Sequence, residues 1–271
     1  MSRSAPVTLI LVALLVAVGG YHYGTLQASE TAPPPPEPAP QEPVVSEEPM
    51  PGGPFPVHQA QVERAALGKG LDEEAMAGTW HRLDFLVTPI DGARVSDAAG
   101  QLPGAPRTYR NGVHQGLDFY GGYCGVDVQV GTPALAAGDG LVTRADTGFR
   151  EMTWEQREQY LNASIIEGET PDDILDSLNG RQVWIQHRDG VVTRYSHLES
   201  IAPGIETGTR VKSREVIGFV GNSGTSDGVM GTSEGAHLHF EVIVNGRVFF
   251  EGMNPEQVRK TLERLLEVAG Q

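Results

Sequence analysis

Two short segments of this 271-residue chain gather groups that bind a metal ion or carry protons. The first is His114-Gln115-Gly116-Leu117-Asp118. On an extended strand, side chains at even offsets share a face, so His114 and Asp118 project together with Gly116 leaving room between them. The second is His237-Leu238-His239, whose imidazoles also share a face. The opposite face carries Leu238, Phe240, Val242 and Val244, an apolar stripe suited to a core. Imidazole nitrogen and carboxylate oxygen suit zinc, and other transition metals accept the same donors. A hydrolytic zinc site keeps three protein ligands and one position for water. Four groups are on offer, so one histidine is left for proton chemistry, and spacing alone does not say which.

Other groups are read beside these two segments. His197, in Tyr195-Ser196-His197-Leu198, ends a strand whose Val191, Thr193 and Tyr195 share its face, and taken alone it reads as structural. Glu241 lies on the histidine face, where it would orient a ligand or pair elsewhere. Tyr195 would wall a groove, and His187 is expected to be structural. His22, His58 and His81 have no partners at ligand spacing. No His-Glu-x-x-His helix is present to supply a glutamate base. Cys124 is the single cysteine, so an internal disulfide is excluded. With no base beside it, it reads as a small loop residue and not a nucleophile.

Short strands must position these groups. From Leu83 onward, strand patterns are separated by turn signals: Val126 to Val130, Ala134 to Arg144, Val183 to His187, Val191 to His197, Val216 to Val220, His237 to Val244 and Arg247 to Phe250. Asp189-Gly190 and Asn245-Gly246 mark hairpins. The pattern predicts a mainly β, antiparallel domain. Helices are expected over Thr153 to Leu161 and Pro171 to Leu178, inside an insertion of about 149–179. A third is expected over Pro255 to Val268, capped by Asn254, with Val258, Leu262, Leu265 and Leu266 on its buried face.

The net charge is −15, from 20 basic and 35 acidic side chains, which argues against a nucleic-acid partner and gives no general attraction to anionic lipid. Ala5 to Gly24 supplies 20 mostly apolar residues, enough to span a bilayer. The best cleavage site, Leu26-Gln27-Ala28, has leucine where a small residue is preferred, and Tyr21 and Tyr23 suit a membrane interface. Residues 1–30 are therefore expected to be a membrane anchor, with a cleaved signal as the alternative. Either way the remainder lies on the periplasmic or extracellular side, secreted if the segment is cleaved. Residues 31–56 read as a Pro-rich acidic linker. Residues 57–84 read as an extension of the domain, with a helical stretch over Val57 to Leu67, and residues 85–271 as the β domain.

Together the motifs resemble the lysostaphin-type (LytM-like) zinc metallopeptidase family, over roughly Phe85 to Pro255. The resemblance rests on His-x-Gly-x-Asp at His114 to Asp118, Tyr-x-His-Leu at Tyr195 to Leu198, and His-Leu-His-Phe-Glu at His237 to Glu241. It implies a compact antiparallel β-sheet domain with a groove over one Zn2+ per chain. It assigns His114, Asp118 and His239 as ligands, with His197 and His237 as free catalytic histidines. It also implies hydrolysis of peptide bonds in peptidoglycan stems or cross-links, often at a glycine or D-amino acid. A non-catalytic cell-wall-binding or hydrolase-activating module on the same fold is the alternative, and the intact set of five residues speaks against it. A zinc protease acting on secreted proteins is a second rival. Two features depart from the family pattern: the insertion 149–179 and an extended loop from Thr225 to Gly235. Either would narrow the groove, change specificity, act as a lid or remain solvated decoration, and the insertion would suit a protein regulator.

Overall fold

The computed structural model describes residues 81–267. The expected membrane segment, the linker and the helical stretch from Val57 to Leu67 lie outside the described residues. Among the described residues, no helix is long and apolar enough to cross a membrane.

Twelve strands are described: β1 Pro106–Arg107, β2 Gly112–Val113, β3 Leu117–Tyr120, β4 Pro133–Leu135, β5 Gly140–Ala145, β6 Val183–Gln186, β7 Val191–Ser196, β8 Leu198–Ile201, β9 Arg210–Val211, β10 Val216–Val220, β11 His237–Val244 and β12 Arg247–Val248. All pairings are antiparallel. The main sheet runs β12-β11-β7-β6-β5-β9, with β3 also paired to β11. A second sheet runs β4-β10-β8, and β1 pairs with β2.

Strand β11 is the axis of the site. One edge pairs with β7, and the other pairs with β3 and then β12. Leu238, Phe240 and Val242 enter the core with Tyr195, Ile185 and Val142. Full burial of such apolar side chains contributes about 1.5–3 kcal/mol each before entropy is counted. The expected hairpin turns form where residues tolerate left-handed backbone: Asp189 and Gly190 have φ of 55° and 70°, Asn245 and Gly246 of 52° and 80°.

Four α-helices lie wholly within the described residues: α1 Trp154–Glu167, α2 Asp172–Leu178, α3 Ser226–Val229 and α4 Pro255–Glu267. A capping box of Thr153 and Gln156 starts α1, and Gly168 ends it in left-handed conformation. Asn254 and Gln257 exchange cap hydrogen bonds before α4. Val258, Leu262, Leu265 and Leu266 bury the predicted stripe.

Three expectations change. Val126 to Val130 alternates in sequence but pairs with no strand; Val128 is buried and the segment runs as loop. His114 precedes strand β3 and is not on it. His197 does not continue the face of Tyr195. Its φ is +61°, which breaks the alternation after Ser196 and turns the imidazole toward His237 and His239.

Candidate metal centre

Register brings the first three residues together. In the β3–β11 ladder Asp118 faces His239 directly. His114 is tied beside them by His114 N to Ala105 O at 2.9 Å and Gly104 N to His114 O at 2.8 Å. A side chain at Gly116 would run into the Phe240 carbonyl and sit 2.9 Å from His239 Cε1. Glycine there permits the close approach of the two ligand-bearing segments.

His114 Nε2, Asp118 Oδ1 and His239 Nδ1 form a triangle with all three sides 2.9 Å. The remaining ring nitrogens are held elsewhere. His114 Nδ1 donates to Leu102 O at 3.0 Å, and His239 Nε2 donates to Glu241 Oε1 at 3.0 Å. When neutral, both imidazoles therefore turn a lone pair toward the same point as the carboxylate oxygen. Three acceptors so close repel unless a cation or protons lie among them. A tetrahedral ion with ligands at about 2.0–2.1 Å holds them about 3.3 Å apart, so the triangle opens by only about 0.4 Å to receive one. The donor set and geometry fit a metal ion.

The surroundings favour positive charge at this point. Burial opposes ionisation of Asp118, but the imidazoles of His114 and His237, with hydrogen bonds from His114 and His239, hold its carboxyl well below the usual range. Burial likewise works against protonated His239, yet Asp118 and Glu241 pull it up to about 9. Despite its burial, Glu241 is held at about 2 by His239 and Arg194. Arg107 Nη2 donates to Asp118 Oδ2 at 3.1 Å and its Nη1 to Gly100 O at 2.9 Å. That leaves Oδ1 as the inward oxygen.

Two more histidines stand beside the triangle. His237 Nδ1 donates to Gly235 O at 2.8 Å, leaving Nε2 3.8 Å from Asp118 Oδ1 and 3.4 Å from the Tyr120 hydroxyl. Its ring stacks on Tyr120 at 4.1 Å. His197 Nδ1 donates to Ser223 O at 2.7 Å, leaving its own Nε2 bare. The two rings lie 4.7 Å apart. Burial lowers the pKa of both, with the neighbouring imidazoles adding to it. Both are therefore held as neutral bases at pH 7.

The other sequence-predicted residues divide. Glu241 reaches the site through His239 and is 1% exposed. Tyr195 is not a groove wall. It alternates into the core with Thr193, lies on Phe240, and accepts the Ala137 N–H at 2.7 Å. His187 is structural, with Nδ1 on Asp139 O and Nε2 beside Thr193 Oγ1. Cys124 is a buried loop residue, its thiol pKa pushed up by burial.

All five histidine and aspartate side chains line a cavity of about 560 Å³. The insertion supplies Arg157, Leu161 and Leu175 to its wall, and the later loop supplies Thr225 and Asp227. Both segments are therefore part of the cavity wall. Tyr120, Arg107, Arg110 and Arg157 were missed by sequence reasoning. Only the strand alternation of Asp118 and Tyr120 could have flagged one of them.

Comparison with known proteins gives a family. The model of peptidase family M23 matches residues 112–250. Peptidoglycan DD-endopeptidase ShyC of Vibrio cholerae is 30% identical over 162 residues, covering 60% of this chain and 27% of that protein. DD-carboxypeptidase/endopeptidase Mpg of Neisseria meningitidis is 29% identical over 164 residues, covering 60% and 27%. The chain thus spans about a quarter of the length of these curated relatives. Among solved structures, a zinc-containing peptidase from Vibrio cholerae is 23% identical with a TM-score of 0.40, covering 63% of this chain and 40% of that one. Lysostaphin from Staphylococcus simulans is 20% identical with a TM-score of 0.39, covering 66% and 55%.

Proposed function

The chain belongs to peptidase family M23, and from that membership we propose that it is a zinc-dependent endopeptidase hydrolysing peptide bonds in peptidoglycan stems or cross-links. The observation that carries the reading is the triangle of three lone-pair donors with the Nε2 atoms of His197 and His237 beside it. The relatives named for peptidoglycan DD-endopeptidase activity support the substrate class.

His114, Asp118 and His239 would hold one Zn2+. Such an ion, when bound, polarises the scissile carbonyl and lowers the pKa of water toward neutrality. His237 Nε2 takes the proton from the attacking water and returns it to the leaving amine. Its Nδ1 bond to Gly235 O fixes the ring so that Nε2 alone does this exchange. His197 is clamped through Nδ1 on Ser223 O, so its Nε2 would accept a hydrogen bond from the attacking water and steady it. Arg107 and Glu241 orient Asp118 and His239 from outside. The cavity walls from the insertion and the later loop confine the peptide. Residues 1–30 would anchor the chain in the membrane, with the peptidase on the periplasmic or extracellular side, and the insertion is a surface for a protein regulator.

The test is digestion of purified peptidoglycan by the wild type and by His239→Ala. Release of soluble muropeptides by the wild type alone supports the proposal. If neither digests and both bind the wall, the chain is a binding or activating module. Digestion of casein with peptidoglycan untouched makes it a general protease.

A further inference from the structure

We propose that Arg157, carried into the cavity by the inserted helix α1, anchors a free carboxylate of the peptide substrate. The inference deepens the peptidase reading and rests on it. Arg157 lines the same cavity as the five histidine and aspartate side chains. It is 9% exposed, and its Nε is sealed from solvent without an acceptor. Among the described residues, its guanidinium has no hydrogen-bond or ion-pair partner.

The other two arginines of the cavity differ. Arg107 is spent on Asp118 and Gly100 O. Arg110 donates to Thr170 Oγ1, Val113 O and Gln115 Oε1. Both belong to the protein's own framework. Arg157 is a buried cation held ready by a helix whose start is locked through its capping box.

Burying a charge without a partner is costly, and native proteins satisfy nearly all such groups. A ligand that brings the missing acceptor removes that cost on binding. The guanidinium fork matches a carboxylate with two parallel hydrogen bonds, and a neutral amide satisfies it poorly. Peptide stems of the cell wall supply such carboxylates, at the chain end or on an acidic residue. The chain carries net charge −15, so general electrostatics does not gather anions. Recognition therefore falls to this local group.

The experiment is calorimetric titration of the zinc-supplied full chain, with His237→Ala to keep peptide uncleaved. The probe is a synthetic stem tetrapeptide (alanine, D-glutamate, lysine, D-alanine) in three forms: all carboxylates free, terminal amide only, and all carboxylates amidated. Full amidation is expected to weaken binding about tenfold or more. Terminal amidation alone does so if the anchored group is the chain end, and leaves binding unchanged if it is the acidic side chain. Adding Arg157→Gln is expected to abolish the preference, and Arg157→Lys to keep part of it as a point charge. Equal binding of the free and fully amidated peptides overturns the inference. So does a preference that survives Arg157→Gln in protein of unchanged zinc content and melting temperature. Peptidoglycan digestion by the chain without His237→Ala reads the peptidase proposal separately, so either can fail alone.

Discussion

Glu241 Oε1 lies 3.0 Å from His239 Nε2, while Arg194 Nη1 lies 3.3 Å from the other carboxylate oxygen. The pair fixes which nitrogen of His239 carries the proton, and so which one faces the metal point. Partners of this kind typically contribute 10–100-fold to metal affinity. Glu241→Gln keeps an acceptor but removes the charge. Zinc affinity is expected to fall about tenfold with the fold retained, as read by competition with a chelator of known affinity. Unchanged affinity would show that Glu241 serves only the sheet.

Ligands and proton carriers separate by metal content. His114→Ala with Asp118→Ala is expected to remove bound zinc. His197→Ala and His237→Ala are expected to keep it. The first of these is expected to lower hydrolysis about 10²–10³-fold and the second about 10²–10⁴-fold. Elemental mass spectrometry alongside muropeptide release measures both properties. A variant of either histidine that arrives without zinc would move that histidine into the ligand set.

Gly116→Ala tests the close approach of β3 and β11. The added methyl meets the Phe240 carbonyl and the His239 ring. Overpacking of this kind costs about 1–3 kcal/mol. Thermal unfolding is expected to shift down accordingly, with weaker zinc binding. A wild-type melting curve would mean that the strands yield without strain.

His187 gives a pH test away from the metal. Burial lowers its pKa below 6.5 in the folded state. The unfolded chain then binds the proton more readily, so the stability contributed by neutral His187 is present above about pH 6.5 and lost as pH falls below it. His187→Gln is expected to be less stable at neutral pH but to lose less stability between about pH 7 and 5.5. Urea titrations at both values compare the slopes, and parallel loss in the two proteins would reject the assignment.

The β11 segment was legible because alternation fixes which side chains share a face; His114 lies before β3, so its approach to Asp118 follows from the turn into that strand and not from alternation. The hairpins at Asp189-Gly190 and Asn245-Gly246 were legible from turn chemistry. Alternation alone puts His197 on the face of Tyr195, because its left-handed backbone has no signature in a histidine; only the Tyr-x-His-Leu motif assigns it to the site. The groove-wall reading of Tyr195 rests on nearness in sequence to the site, whereas the alternation of β7 carries its side chain into the core. Arg107 and Arg157 reach the site only through tertiary packing, one from a two-residue strand and one from helix α1 between β5 and β6. No local periodicity encodes either approach.

Asp118 and His239 are 121 positions apart along the chain, and His114 is 125 from His239. An ion gripped by all three would be a covalent-like staple closing that loop, in a molecule whose single cysteine cannot form an internal disulfide. Closing a long loop restricts the unfolded ensemble, and a ligand that binds only the folded form raises stability with its free concentration. Zinc supply would then govern how long the fold survives as well as the proposed hydrolysis. Scavenging of the metal by a competitor would leave an unlatched β3, open to proteolysis at the strand that carries Asp118.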